Sequence, residues 1–290
     1  VARRYAIVGP ATCCAWRNAR DLGIFIDGVA AKNLKLVTVH NYSATTCGGK
    51  TVTIAQLLSP ELMDRFNERA MQLVAAAHAR GLPIAMAETN SASCGGMPGV
   101  SNAFASAEWG LDYMFTLAQN GFRYVNFHSS YRPGGSSYNP INTFGQEESG
   151  SWHYRNVAQP LYYAMYLFAR NASGRRILPV TTQTNANIHA FAVTSASRRQ
   201  VNVFVLNEDL SAAGEVRVHV AGREGEASLL LLEAPSLNSQ ASGVRYGGMQ
   251  FGSRGQLPPP HAKVVRPDSH GDYVFTLPTA SIALLSVGHA

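Results

Sequence analysis

Four times before residue 174, a short apolar run is followed by a stretch with helical spacing. The runs fall at residues 5–10, 34–40, 82–88 and 122–128. The run at 5–10 and the run that ends on Glu88 are continuously apolar rather than alternating, which is the mark of a strand buried on both faces of a parallel sheet. Helices are expected over residues 16–31, from 59 to about 80, from about 101 to 120, and over 156–172. The second opens on Ser59-Pro60-Glu61, a capping serine with proline at the first helical position, and Gly81 and Pro83 end it. Phe104, Ala107, Leu111, Met114, Phe115 and Ala118 give the third an apolar stripe. Strands and helices on this rhythm build a (β/α) sheet or barrel, and four units are half of an eightfold barrel.

Beyond Ser173-Gly174 the helical period disappears. Short alternating runs at 187–195, 201–206, 216–220, 228–232, 273–277 and 281–287 replace it. They predict an antiparallel β-sandwich over residues 175–290, after a (β/α) unit over residues 1–174. The 290 residues, 46% hydrophobic and 14% charged, suit a globular chain with a sizeable core. No apolar run nears the ~20 residues that cross a bilayer, so no membrane span is expected. The first residues hold no starting Met and no signal-peptide core, and enter a strand almost at once, which suggests a chain that begins within a larger unit. The net charge of +6 suits an anionic substrate, but the Arg and Lys are scattered, and no nucleic-acid partner is expected.

In a parallel sheet the four strand ends share one face, where such folds do their chemistry. They deliver Pro10-Ala11, His40-Asn41-Tyr42, Glu88-Thr89-Asn90 and His128-Ser129. The result is a carboxylate ringed by His, Tyr and Asn. No GxSxG elbow and no phosphate loop is present, and the pairs Gly48-Gly49 and Gly95-Gly96 are too short to cradle a diphosphate. No metal or other cofactor is expected. The arrangement fits a glycosidase, which needs one carboxylate as nucleophile and a second as proton donor. Glu88 takes the first role, Tyr42 hydrogen-bonds it, and His40 belongs to the same network. A long polar loop over about 129–152 carries Tyr131 and Tyr138. Cys47 and Cys94 both follow strands in Gly-rich loops, so a disulfide between them is possible and would place the chain in an oxidising compartment, secreted or periplasmic.

Glu88-Thr-Asn-Ser-Ala-Ser-Cys-Gly-Gly96, with residues 99–113 and Val125-Asn-Phe-His128, resembles glycoside hydrolase family 79, the β-glucuronidases and heparanases. Val8-Gly-Pro-Ala11 and Val37-Thr-Val-His-Asn-Tyr42 fit the same family. The resemblance implies a (β/α)8 TIM barrel with an appended β-sandwich, of which this chain is the second barrel half and the sandwich. It implies a retaining mechanism with Glu88 as nucleophile and Tyr42 bonded to it. Gly95 and Gly96 would offer backbone amides to a uronic acid carboxylate, and Tyr138 would bind the same group. Asn90 and His128 are expected to touch substrate. Ser93-Cys94 departs from the family, which often has Tyr before the glycines. The family's proton donor is a Glu after Asn at the end of an earlier barrel strand. Asn67-Glu68 and Asn207-Glu208 do not stand at a barrel mouth in this reading. The expected partners are therefore a uronic-acid-containing oligo- or polysaccharide and the missing N-terminal barrel half, as a separate chain or a lost segment. A non-catalytic carbohydrate-binding protein and a related glycosidase for a neutral sugar are the alternatives.

Overall fold

The computed structural model describes residues 6–11, 19–28, 33–130 and 135–288. Cys13, Cys14, Tyr131 and the outer parts of the strand and helix expected over 5–10 and 16–31 lie outside the described residues. The first unit runs β1 (Ile7–Pro10), α1 (Ala19–Gly28), β2 (Leu34–Thr45), α2 (Ile54–Leu57), α3 (Pro60–His78), β3 (Ile84–Ser93), α4 (Ala105–Gln119) and β4 (Val125–Phe127). The four strands form one parallel sheet in the order β1-β2-β3-β4, which does not close into a barrel. Ser59 caps α3 by accepting a 3.3 Å hydrogen bond from the Leu62 amide, with Pro60 as the first helical residue.

Two expectations change here. Residues 141–158, read as loop and helix start, form a hairpin of β5 (Ile141–Glu148) and β6 (Ser151–Ala158), and α5 (Pro160–Asn171) follows it. The hairpin has almost no buried face, so no apolar alternation announced it. Its signal is Ser149-Gly150, both at positive φ, the two-residue turn that suits a hairpin. The helix α4 also lacks the single apolar stripe expected of it. Every residue from Ala105 to Leu117 is buried, because α4 is covered on all sides.

The covering comes from the second unit. It comprises β7 (Arg176–Leu178), β8 (Ile188–Thr194), β9 (Gln200–Asn207), β10 (Gly214–His219), β11 (Ala227–Glu233), β12 (Arg245–Tyr246), β13 (Lys263–Val265), β14 (Asp272–Leu277) and β15 (Ser281–Gly288). Seven strands make one sheet, in the order β12-β11-β15-β9-β8-β7 with β13 also on β11, while β10 and β14 pair as a separate ribbon. One face of the large sheet, through Phe191, Phe204, Leu232 and Ile282, joins the core that holds α4 and α5. Phe115 of α4 stacks on Phe191 at 4.4 Å between ring centroids. The other face, through Val203, Val205, Ala283 and Leu285, packs on Tyr273, Phe275 and Leu277 of the ribbon. The alternation in β9 therefore separates two cores and not core from water, and all but its first residue are buried. The second layer of the sandwich is only two strands wide. A cavity of about 1220 Å³ remains between it and β7–β9, and none of the Glu88 neighbours described below lines it.

Gly110 shows how closely the helices approach. A Cβ there would clash with Leu161 Cδ1 of α5, so any larger residue must displace that side chain.

Candidate active site

The strands β2 and β3 position the site. Their pairing shifts register between Val39 and His40, then sets His40 beside Glu88, Asn41 beside Thr89 and Tyr42 beside Asn90. The pairing continues to Thr45 and Ser93. Glu88 thus stands within a strand and not at its end, as the apolar run had suggested. The polar residues after it continue the strand because their backbone groups still find partners on β2.

Glu88 is half-buried, its side chain 33% exposed. The Tyr42 hydroxyl donates to Glu88 Oε1 at 2.7 Å and lies 2.8 Å from His128 Nδ1. With its one proton committed to the carboxylate, the hydroxyl accepts the Nδ1 proton of His128. His128 Nδ1 is also 3.5 Å from Glu88 Oε1 and 3.2 Å from the Tyr138 hydroxyl. His40 Nδ1 faces the other oxygen, Oε2, at 3.6 Å, too far for a hydrogen bond. The structure thus brings Glu88, Tyr42, His40, His128 and Tyr138 together. His128 sits in the carboxylate network itself, which sequence reasoning had given only to Tyr42 and His40.

Asn90 is a correction. Expected to touch substrate, it is wholly buried. Its side-chain amide donates to the backbone carbonyls of His128 (2.9 Å) and Tyr138 (3.0 Å), and its oxygen accepts from the Ser91 amide (2.8 Å). All its polar groups are committed to fixing the segments that carry His128 and Tyr138. A second buried support comes from α4. Trp109 Nε1 donates to Ser43 Oγ at 2.9 Å, and the Tyr113 hydroxyl meets Thr89 Oγ1 at 3.0 Å. Burial pushes the Tyr113 hydroxyl, against its bonds to Thr89 and Asn41, up and out of the range in which it would ionise.

Beyond β3 the chain turns through Cys94, Gly95 and Gly96 at φ 64°, 96° and 80°. Cys94 is joined to Cys47 by a disulfide. The Gly95 carbonyl accepts from Ser136 Oγ at 2.9 Å, and a Cβ on Gly96 would stand 2.8 Å from Ser101 Cβ. Cys94 and Gly95 form a hydrogen-bonded turn, and among the described residues the Gly95 amide donates no hydrogen bond. A free amide in a turn of this kind suits an anion. Ser136, Asn139 and Asn142, which order the loop above this turn, were missed in the sequence because short polar side chains there read as generic loop. Glu68 lies exposed on α3, and Glu208 is buried just past β9, so neither Asn-Glu pair faces Glu88.

No protein-family model matches the chain. Among curated proteins, a β-glucuronidase of Neurospora crassa is 36% identical over 117 residues, which is 39% of this chain and 21% of that protein. A β-glucuronidase of Aspergillus niger is 39% identical over 62 residues, 21% of this chain and 10% of that protein. Among solved structures, a 4-O-α-L-rhamnosyl-β-D-glucuronidase from Fusarium oxysporum matches with a TM-score of 0.75 at 20% identity, over 95% of this chain and 57% of that one. A family 51 arabinofuranosidase from Xanthomonas axonopodis pv. citri matches with 0.67 at 16% identity, over 97% of this chain and 57% of that one. The matched stretches thus span about a fifth or less of the curated relatives and little more than half of the solved ones. The structural likenesses show the fold, a partial barrel followed by a β-sheet region.

Proposed function

We propose that this chain is the nucleophile-bearing part of a retaining β-glucuronidase of the family 79 type, acting on glycans that contain glucuronic acid. The observation that carries the reading is the arrangement at Glu88. One carboxylate oxygen accepts from Tyr42 and the other faces His40, with the Gly95 and Gly96 amides on the turn that follows the same strand. The first group suits attack on an anomeric carbon. The second suits the carboxylate of a uronic acid. The named relatives and the Fusarium structure support the sugar class.

The proton donor is a carboxylate from outside this chain. Glu68 and Glu208 lie elsewhere, and among the described residues no strand pairs with the outer edges of β1 and β4, which leaves room for further strands. Retaining chemistry sets the two carboxyls ~5–5.5 Å apart, so the donor enters beside Glu88 on an added strand. The test is hydrolysis of an aryl β-glucuronide by this chain alone and by this chain joined to a segment with a strand ending in Asn-Glu. Little turnover alone and restored turnover when joined is the expected result. Strong Glu88-dependent turnover by the chain alone overturns the divided site. Faster release from an aryl α-L-arabinofuranoside or a neutral β-glycoside would favour the neutral-sugar reading, to which the family 51 likeness points. Binding without turnover in the joined protein would favour a carbohydrate-binding role.

Two substitutions probe the halves of the site in the joined protein. Tyr42→Phe removes a charge-assisted hydrogen bond to Glu88, worth about 1.5–3 kcal/mol, so kcat is expected to fall about 10- to 100-fold with KM little changed. Gly96→Ala puts a Cβ against Ser101 on a residue at φ 80°. It is expected to raise KM for the glucuronide about tenfold or more, through displacement of the amide that holds the substrate acid, and to lower Tm by a few degrees.

A further inference from the structure

A second charged cluster lies where α4 meets the seven-stranded sheet. Glu108 and Asp112 are one turn apart on one face of α4. His189 comes from β8, and Glu208 directly follows β9. The three carboxylates are 0–2% exposed. His189 Nδ1 stands 3.1 Å from Asp112 Oδ2. Ligand atoms of Asp112, His189 and Glu208 all lie within 4.8 Å of one another. Both oxygens of Glu108 and Oε1 of Glu208 are buried with no hydrogen-bond partner.

Burial of three carboxylates against one imidazole is costly, since each buried charge needs a counter-charge or a proton. The cluster attracts positive charge, and its orphaned oxygens have no protein group to meet.

We propose that Asp112, His189 and Glu208 bind one divalent transition-metal cation of the Zn²⁺ or Mn²⁺ class, with the buried Glu108 outside the ligand set. One imidazole with carboxylates is the donor set of such ions, whereas Ca²⁺ and Mg²⁺ prefer oxygen alone. Two donors 3.1 Å apart, each ~2.1 Å from a shared ion, subtend about 95° at it, a ligand-to-ligand angle such ions accept. The cation would tie the helix that supports Ser43 and Thr89 to the sheet of the second unit. Its role is structural: it holds α4, and through Trp109 and Tyr113 the strands that carry Tyr42 and Glu88.

The test is metal content by mass spectrometry of the purified protein, with Tm read before and after EDTA. About one Zn²⁺ or Mn²⁺ per chain is expected. EDTA is expected to lower Tm by about 5 °C or more, and Zn²⁺ or Mn²⁺, not Mg²⁺ or Ca²⁺, to restore it. Glu208→Gln should lose the metal and the EDTA response together. The more disruptive Asp112→Asn is not needed, because the wild-type measurement decides by itself. Absence of bound metal, with no change in Tm on adding Zn²⁺ or Mn²⁺, overturns the proposal. A rise in Tm for Glu108→Gln or Glu208→Gln would overturn it equally, since it would show carboxyls that are protonated in the native cluster.

Discussion

Glu88→Gln is expected to lower kcat/KM on an aryl β-glucuronide at least about 10⁴-fold in the joined protein, a loss of about 5.5 kcal/mol of transition-state stabilisation. An amide cannot form the glycosyl ester that splits the reaction into two steps. The substitution should leave the fold intact, which makes the loss interpretable. The side chain is one-third exposed, and a glutamine oxygen still accepts from Tyr42, whose donor bond to Glu88 is 2.7 Å in the native site. Tm should therefore move by less than about 2 °C. A second variant adds a positive readout. Glu88→Gly leaves a space on the face from which the carboxylate attacks, and azide in that space is expected to restore release of the aryl group and yield a glycosyl azide of inverted configuration. If Glu88→Gln retained more than a tenth of the activity, the nucleophile would have to be another group.

Glu88 and Tyr42 were legible in the sequence because their relation is local to two neighbouring strands. An apolar run fixes each strand, parallel pairing fixes their register, and the residues that follow arrive side by side. His128 was legible as a neighbour but not as a partner of the Tyr42 hydroxyl, since that contact depends on a rotamer and not on register. The hairpin of β5 and β6 was illegible because both its faces meet solvent, so its apolar pattern carries no period. The full burial of α4 was illegible for the opposite reason. The sheet that covers its outer side begins more than 50 residues further on, at Arg176, and no helical period encodes a partner so distant in the chain. Glu108 and Asp112 fall outside the apolar stripe expected of α4. Only the arrival of His189 and Glu208 turns them into a buried cluster.

The double variant Cys47→Ser/Cys94→Ser is expected to lose about 4 kcal/mol of stability, the largest structural effect among these substitutions. The disulfide closes a loop with a sequence separation of 47, and the chain-entropy cost of opening a loop of that length in the unfolded state is about 4 kcal/mol. With a urea slope of about 2–3 kcal/mol/M, the midpoint should fall by more than about 1 M, and the slope should rise as the unfolded chain expands. Native effects add to this. The bridge joins the turns after β2 and β3, whose last paired residues are Thr45 and Ser93, and it holds Cys94 at φ 64° immediately before Gly95. A serine there keeps the unfavourable φ without the tether that fixes it. The turn carrying the Gly95 and Gly96 amides should loosen, so KM for a glucuronide should rise while kcat changes less, the Glu88 network being anchored separately by Asn90 and Trp109. The control is wild-type protein in reductant. Its urea midpoint should drop to that of the variant, and the variant should not respond to reductant at all. An unchanged wild-type midpoint would mean that the two thiols are not joined in solution, and the rigidity of the turn would then rest on Ser136, Ser101 and Thr46.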